Sequence, residues 1–484
     1  MTKYNKYLFY IASLILASFL IFKLFQLSKV IVLFPSYDFS SHISNLFFLK
    51  EYGFHSIAPN WYNGMVILRL YPPGFFIYSL IFYSIIDNVQ LAFYISLLSI
   101  FIVGFFGIYL LGRCLNFSFD KILFLFFFFY SNPLTTPWFY SIGRIPEMFA
   151  WSLIFYLIAI VFYYKDKVFD KRFFIYSAII LSAILLAHPF VFILASSLLI
   201  GLFLIKNNKE KLIIISLLPT IIILCAFWLI DFIKHINEIA YYTPNIRFLY
   251  QGQEVIYSIL IPFILITTFY LYVKVKKLSR KEVIFYIPII FIAFIYLTHI
   301  FYYIPFIRSI EPRSYSIFLF IISTILILDF KPNKKASKLL YTSILIFSLI
   351  ITTASFIRYN EIDFPIYNQD KKEILDLFPL VEKKFIIIDK DGDINKKNLY
   401  AFGAVKYNLS TPLGWSMEQS TKETKDIIKK LKDSIDNKDC ELLNSAMDNY
   451  QVEEIISHKD NCDFLKTCSL NVKKELNEYC LLSK

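Results

Sequence analysis

Long, nearly uncharged apolar runs separated by short basic segments set the pattern of this chain. A helix needs ~20 residues, and ~17 at the least, to cross the ~30 Å hydrocarbon core of a bilayer. Runs of about that length fall at 7–27, 91–111, 122–137, 147–164, 173–188, 190–205, 212–230, 255–273, 283–300, 314–330 and 339–357, which predicts about 11 spanning helices. The fifth and sixth runs are short and hinge on His188-Pro189. As one helix they would run 33 residues, or ~50 Å at ~1.5 Å per residue, so a hairpin is expected. The apolar run Gly74–Ile86 has 13 residues and rises only ~20 Å, which predicts an interfacial helix rather than a span.

Charge tests that choice independently. If Gly74–Ile86 does not span, segments 1–6, 112–121, 165–172, 206–211, 274–282 and 331–338 share one side and hold 20 Lys and Arg in 47 residues. The opposite loops, 28–90, 138–146, 231–254 and 301–313, hold eight in 109. Basic loops stay cytoplasmic, so the N-terminus is expected inside and Arg358–Lys484 outside. Were Gly74–Ile86 to span, every later loop would invert. No small-residue cleavage site follows Tyr7–Leu27, so this first run reads as a retained helix.

Composition agrees. At 57% hydrophobic and 19% aromatic residues, with a mean hydropathy of +0.57, the chain carries more apolar surface than a soluble core could hide. The net charge of +12 would suit nucleic acid, but its Lys and Arg sit between apolar runs, so membrane lipids and no nucleic acid are the expected neighbours. The domains expected are a transmembrane unit, 1–357, with first outer loop 28–90 and interfacial helix 74–86, and an extracytoplasmic unit, 358–484.

In that last unit the apolar fraction falls. Phe385–Ile388 and Val452–Ile456 read as short strands. Ser420–Ile435 reads as an amphipathic helix, with Ser420 or Thr421 as N-cap. Four of the six cysteines, Cys440, Cys462, Cys468 and Cys480, lie here, an even number suited to two disulfides in an oxidising compartment. Three connectivities are open, as are free thiols or a metal site. Asn408-Leu409-Ser410 is a glycosylation sequon on the same side. Asp389–Asp393 starts like a calcium loop but lacks the closing Glu, and reads as an acidic turn after a strand. The fold class is therefore an all-α multi-pass membrane bundle with a small C-terminal α/β extracytoplasmic domain.

No nucleotide-binding glycine loop, zinc spacing, serine elbow or iron–sulfur pattern occurs. The candidate chemistry lies in the first outer loop, which is long for a connection in a compact bundle. It carries Tyr37-Asp38-Phe39-Ser40-Ser41-His42, Trp61-Tyr62-Asn63-Gly64 and Tyr71-Pro72-Pro73-Gly74. Asp38 and His42, four apart, share a face if this stretch is helical. An Asp soon after the first span, an aromatic loop with a Tyr-Pro-Pro turn, and a juxtamembrane helix before the second span resemble the GT-C superfamily of membrane glycosyltransferases. The chain is most similar to a microbial membrane family labelled "6-pyruvoyl-tetrahydropterin synthase related". Gly143-Arg144-Ile145-Pro146-Glu147, Ala187-His188-Pro189, Ile310-Glu311-Pro312-Arg313 and Thr411-Pro412-Leu413-Gly414-Trp415 extend that likeness over most of the chain.

The resemblance implies a GT-C-like bundle and sugar transfer from a polyprenyl-phosphate-linked donor to a glycan, lipid or protein acceptor on the outer face. It puts Asp38 in the role of catalytic base, with Glu147 orienting Arg144 or joining Asp38 as a metal ligand. Arg144, Arg308 and Arg313 would hold the lipid phosphate, since Arg takes phosphate bidentately. His42, Trp61, Tyr71 and His188 would line the substrate site. Each has a plainer reading: a helix cap for Asp38, the helix dipole for Glu147, snorkelling anchors for the arginines, packed histidines, and an aromatic belt for Trp61 and Tyr71. No Asp-x-Asp or Glu-x-Asp pair accompanies Asp38, which favours a metal-independent base mechanism, or no catalysis at all, over a divalent metal. The rival from another class is a non-catalytic assembly protein on the same scaffold. A transporter fits less well, because apart from Lys23 near an end the spans carry almost no charge.

Overall fold

The computed structural model describes residues 3–27, 38–238, 253–304, 307–330, 342–350, 352–354, 369–390, 392–394, 397–414 and 422–484. Helices occupy the predicted apolar runs: α1 (Lys3–Leu27), α4 (Val89–Cys114), α5 (Phe119–Tyr130), α6 (Ile145–Tyr164), α7 (Lys171–Ala187), α8 (Pro189–Ile205), α9 (Asn208–His235), α10 (Gln253–Lys276), α11 (Arg280–Leu297) and α12 (Pro312–Asp329). A further helical stretch covers 342–350. Among the described residues α4, α6, α9, α10 and α12 are long and apolar enough by themselves to cross a membrane. The first loop adds α2 (Phe39–Tyr52), a two-residue hairpin of β1 (Ile57–Ala58) and β2 (Met65–Val66), and α3 (Gly74–Ile86).

Helices start where a side chain can satisfy the first free N–H groups. Asn88 accepts from the Leu91 N–H ahead of α4, and Asn207 with Glu210 and Ser279 with Glu282 form capping boxes at α9 and α11. Within the bundle α4 lies along α6, α6 along α7, α8 along α11 and α10 along α12. Glycines on α4 make the close contacts: a Cβ at Gly104 would strike the Tyr130 hydroxyl and one at Gly107 the Tyr156 ring. Small residues at crossings are how membrane helices approach one another.

One detail departs from the sequence reading. The run 122–137 ends as helix at Tyr130 and turns at Asn132-Pro133 into a π-helical turn, Pro137–Ile142. Proline cannot continue the helix, and Asn132 replaces the lost bonds, accepting from Leu134 and Thr135 and donating to the Phe128 and Phe129 carbonyls. The hinge at His188 does break the chain, leaving two touching 17-residue helices.

Helix α3 has 13 residues and packs against α2, α4, α6 and α7, leaving Ile77, Ile81 and Ile85 exposed as one stripe. Its first residue must be small, since a Cβ on Gly74 would meet the Leu186 and Ala187 backbone at 2.7–2.9 Å. The end of α7 and the start of α3 are thus locked together beside His188.

The C-terminal part comprises α13 (Gln369–Leu377), β3 (Phe385–Ile388), α14 (Lys397–Tyr407), α15 (Lys422–Asp436), α16 (Cys440–Tyr450), β4 (Glu454–His458), α17 (Lys459–Thr467), β5 (Asn471–Glu475) and β6 (Tyr479–Ser483). The sheet runs β3-β4-β6-β5, with β3 parallel to β4 and the other pairs antiparallel. Cys440 is joined to Cys468 and Cys462 to Cys480. The expected boundary at 357/358 lies outside the described residues, as do the expected caps Ser420 and Thr421 and the motif residue Trp415.

This part is fastened to the first loop. Helix α14 packs on α2, where Ser40 Oγ donates to Asn398 Oδ1 at 2.6 Å. Asn60 Nδ2 donates to both oxygens of Asn408 at 3.0 Å, and the Thr411 N–H donates to the Asn60 carbonyl. The sequon side chain is therefore engaged in the contact between the two parts.

Candidate active site

Asp38 is the N-cap of α2 and makes no side-chain capping bond. Its backbone N–H donates to the Ile142 carbonyl at 2.9 Å, which docks the α2 start onto the turn before α6. In that turn Gly143 has φ +88°, a left-handed conformation glycine adopts without strain. The turn aims Arg144 back at α2: Arg144 Nε lies 3.4 Å from Asp38 Oδ2, and Nη2 lies 2.5 Å from Glu311 Oε1. Asp38 and Arg144 keep 20% and 24% of their side chains exposed, so the pair is open at the surface.

Behind Arg144 stands Trp138, from the π-helical turn. The Arg144 guanidinium lies 5.1 Å and that of Arg313 5.4 Å from the indole ring, within cation–π range. Arg313 is more deeply set and gives its Nε and Nη2 to Glu254 Oε1. Glu147 holds the tryptophan: its Oε2 accepts from Trp138 Nε1 at 2.8 Å, while Oε1 accepts from Trp151 Nε1 at 3.0 Å and Ser314 Oγ at 2.7 Å. His188 Nε2 stands 4.0 Å from Glu147 Oε2.

Glu147 is fully buried and both its oxygens are taken, so it presents no open oxygen to substrate or metal. Among the described residues no group of three or more His, Cys, Asp and Glu is placed to hold a metal ion. The donor set does not suit a metal shared by Asp38 and Glu147, and no step is derived through one.

Under Asp38, His42 sits in a ring of aromatics, with ring centroids at 6.1 Å for Tyr71, 6.5 Å for Phe75 and 5.8 Å for Phe76. Burial, and then the nearby Arg144 charge, push its pKa down to about 3, so the imidazole is neutral. Trp61 is buried elsewhere in the loop, against Phe48, Tyr62 and the backbone of Gly414. Arg308 is exposed on the short 3-10 turn Ile307–Ser309 and forms no ion pair among the described residues. The structure thus brings together Asp38, His42, Tyr71, Arg144, Glu147, His188 and Arg313, and leaves Trp61 and Arg308 apart.

Sequence reasoning missed Trp138, Glu254 and the pairing of Glu311 with Arg144. Trp138 followed a run read as a span, and Glu311 stood in a motif valued for its arginine; Glu311 itself, two residues before Arg313, was the one local signal.

No protein-family model and no curated protein matches the chain. Solved structures do. The arabinofuranosyltransferase AftD from Mycobacteria aligns with 98% of this chain and 39% of its own length, with a TM-score of 0.60 at 10% identity. ArnT from Cupriavidus metallidurans, in its apo state, is covered over 97% of both chains, with a TM-score of 0.56 at 9% identity. The Archaeoglobus fulgidus oligosaccharyltransferase AglB, solved with an inhibitory peptide and a dolichol-phosphate, aligns with the whole of this chain and 74% of its own, with a TM-score of 0.54 at 10% identity. The chain spans about two fifths of the mycobacterial protein. At such identity the likeness is one of fold: this is a multi-pass membrane protein with a GT-C-like architecture.

Proposed function

We propose that the chain is a membrane glycosyltransferase that moves a sugar, with inversion, from a polyprenyl-phosphate carrier to a glycan, lipid or protein acceptor at the outer membrane face. The observation that carries this reading is the pairing of Asp38 with Arg144 on an open edge of the bundle. A carboxylate and a guanidinium side by side are the two groups such a transfer needs. Asp38 accepts the proton of the acceptor hydroxyl as its oxygen attacks the anomeric carbon. The bond from that carbon to the phosphate oxygen breaks, and the lipid phosphate leaves with the electron pair, taking the place of Glu311 on Arg144. Glu147 acts at one remove, holding Trp138 so that the ring supports both arginines. In this reading the N-terminus is cytoplasmic and the disulfide-bonded C-terminal part faces the oxidising side.

Replacing Asp38 by Ala or Asn tests the proposal in cells that carry the protein. Surface glycans analysed by mass spectrometry are expected to lose the added sugar, through a fall in rate of ~10²–10⁴, while protein level and melting behaviour stay unchanged. Unaltered glycans from a folded variant would remove the assignment.

A further inference from the structure

Polar groups without partners line the seam between α2 and α3, one to two turns below Asp38. Neither amide atom of Asn45 nor the Ser79 hydroxyl makes a hydrogen bond among the described residues, and the His42 ring has only a loose contact with the Gly143 backbone beside it. All three side chains are at least nine-tenths buried, with His42 at 4% exposure and the others at 0%. Buried polar groups are ordinarily paired, and an exception calls for an explanation.

The two helices run side by side in the same direction. His42 meets Phe75 and Phe76, and Lys50, two turns on, lies over the Tyr83 ring. That register sets Asn45 level with Ser79, so these buried groups fall at successive levels along the two packed helices. A neutral imidazole, a carboxamide and a hydroxyl each offer both a donor and an acceptor. Sugar hydroxyls need that same combination, and aromatic rings beside it suit the apolar C–H faces of a pyranose or furanose.

We propose that the α2–α3 seam binds the sugar ring of the donor, with His42, Asn45 and Ser79 recognising hydroxyls of a neutral rather than an anionic sugar. The inference rests on the glycosyltransferase reading and deepens it. Tyr71, partly exposed and 6.1 Å from His42, is the cover that shifts as the ring enters. The anomeric carbon then sits at the mouth of the seam, between Asp38 and Arg144.

The full chain, purified in nanodiscs, is titrated with polyprenyl phosphate and with the same lipid bearing a neutral hexose. The wild type is expected to bind the sugar-bearing lipid ~10-fold or more tightly, the gain of about one good polar contact. Asn45→Leu and His42→Phe are expected to bring that ratio to about one while leaving bare-lipid binding alone. Because each replaces a poorly paired buried polar group by an apolar one of similar shape, each should also raise the melting midpoint by ~1–3 °C. A purely structural role would lower it. Where Leu is not tolerated, Asn45→Ala reads out the ratio. Binding of both lipids with a ratio unmoved by either variant overturns this inference alone. Failure of the wild type to bind either lipid overturns the donor reading and this one with it.

Discussion

The C-terminal sheet and the Asp38 edge handle buried polarity in opposite ways. In the sheet, Glu454 on β4 has no exposed surface, yet its Oε2 accepts the Glu382 and Lys383 N–H groups at 2.9 and 3.0 Å and its Oε1 meets the Lys473 ammonium. That hydrogen bond holds the Lys473 pKa above its ordinary range. At the other region the Asp38–Arg144 pair stays partly exposed, and Asn45 and Ser79 in the α2–α3 seam lack partners among the described residues. One set of groups closes a domain. In the proposed reading the other is left for a substrate.

The sharpest way to break the comparison is to open the closed side. Glu454→Ala strands two backbone N–H groups, while Lys473 keeps Glu382 at 3.2 Å, and leaving buried donors unpaired costs ~1–3 kcal/mol each. Chemical unfolding of the full chain should show a loss of that order in the C-terminal transition. A loss below ~1 kcal/mol would mean the sheet is no better sealed than the Asp38 edge.

A smaller effect is expected from pH. His42 in the folded protein is held near 3, below its ordinary 6.5, so unfolding takes up a proton. Its contribution to stability is intact above pH 6.5 and falls as pH drops towards 3, by up to ~1.4 kcal/mol per pH unit. Melting curves at pH 7.5 and 5 should therefore differ more for the wild type than for His42→Phe. Equal differences would place the imidazole in a wetter setting than the α2–α3 seam.

Smallest is the loss at Trp138, where each cation–π contact is worth ~0.5–2 kcal/mol. Trp138→Leu should weaken binding of bare polyprenyl phosphate ~10-fold, whereas Trp138→Phe, which keeps a ring, should recover most of it. Equal loss in the two variants would show that the Glu147 hydrogen bond, rather than the ring face, sets the arginines.

Much of the bundle was legible because crossing a bilayer imposes a length and a polarity on each helix, and both are local properties of the chain. The 13-residue helix Gly74–Ile86 was legible from its apolar run in the same way. The turn at Asn132-Pro133 was also local, but it lay inside an apolar run that masked it. Asp38, His42 and Arg144 were legible as candidates because short motifs carry them. Their grouping was not, since it depends on Ile142 docking against residue 38. The pairing of Glu311 with Arg144 and of Glu254 with Arg313, and the choice among three disulfide patterns, are tertiary facts with no local signal.

The Ser40–Asn398 bond joins positions 358 residues apart. A nascent chain inserts its early segments long before residue 398 leaves the ribosome. The α2 helix can dock on α3, α4 and the Ile142 turn early, but its contact with α14 is completed only once residue 398 has emerged. Truncated or stalled products would carry the bundle yet lack the α2–α14 clasp that ties the first loop to the C-terminal part.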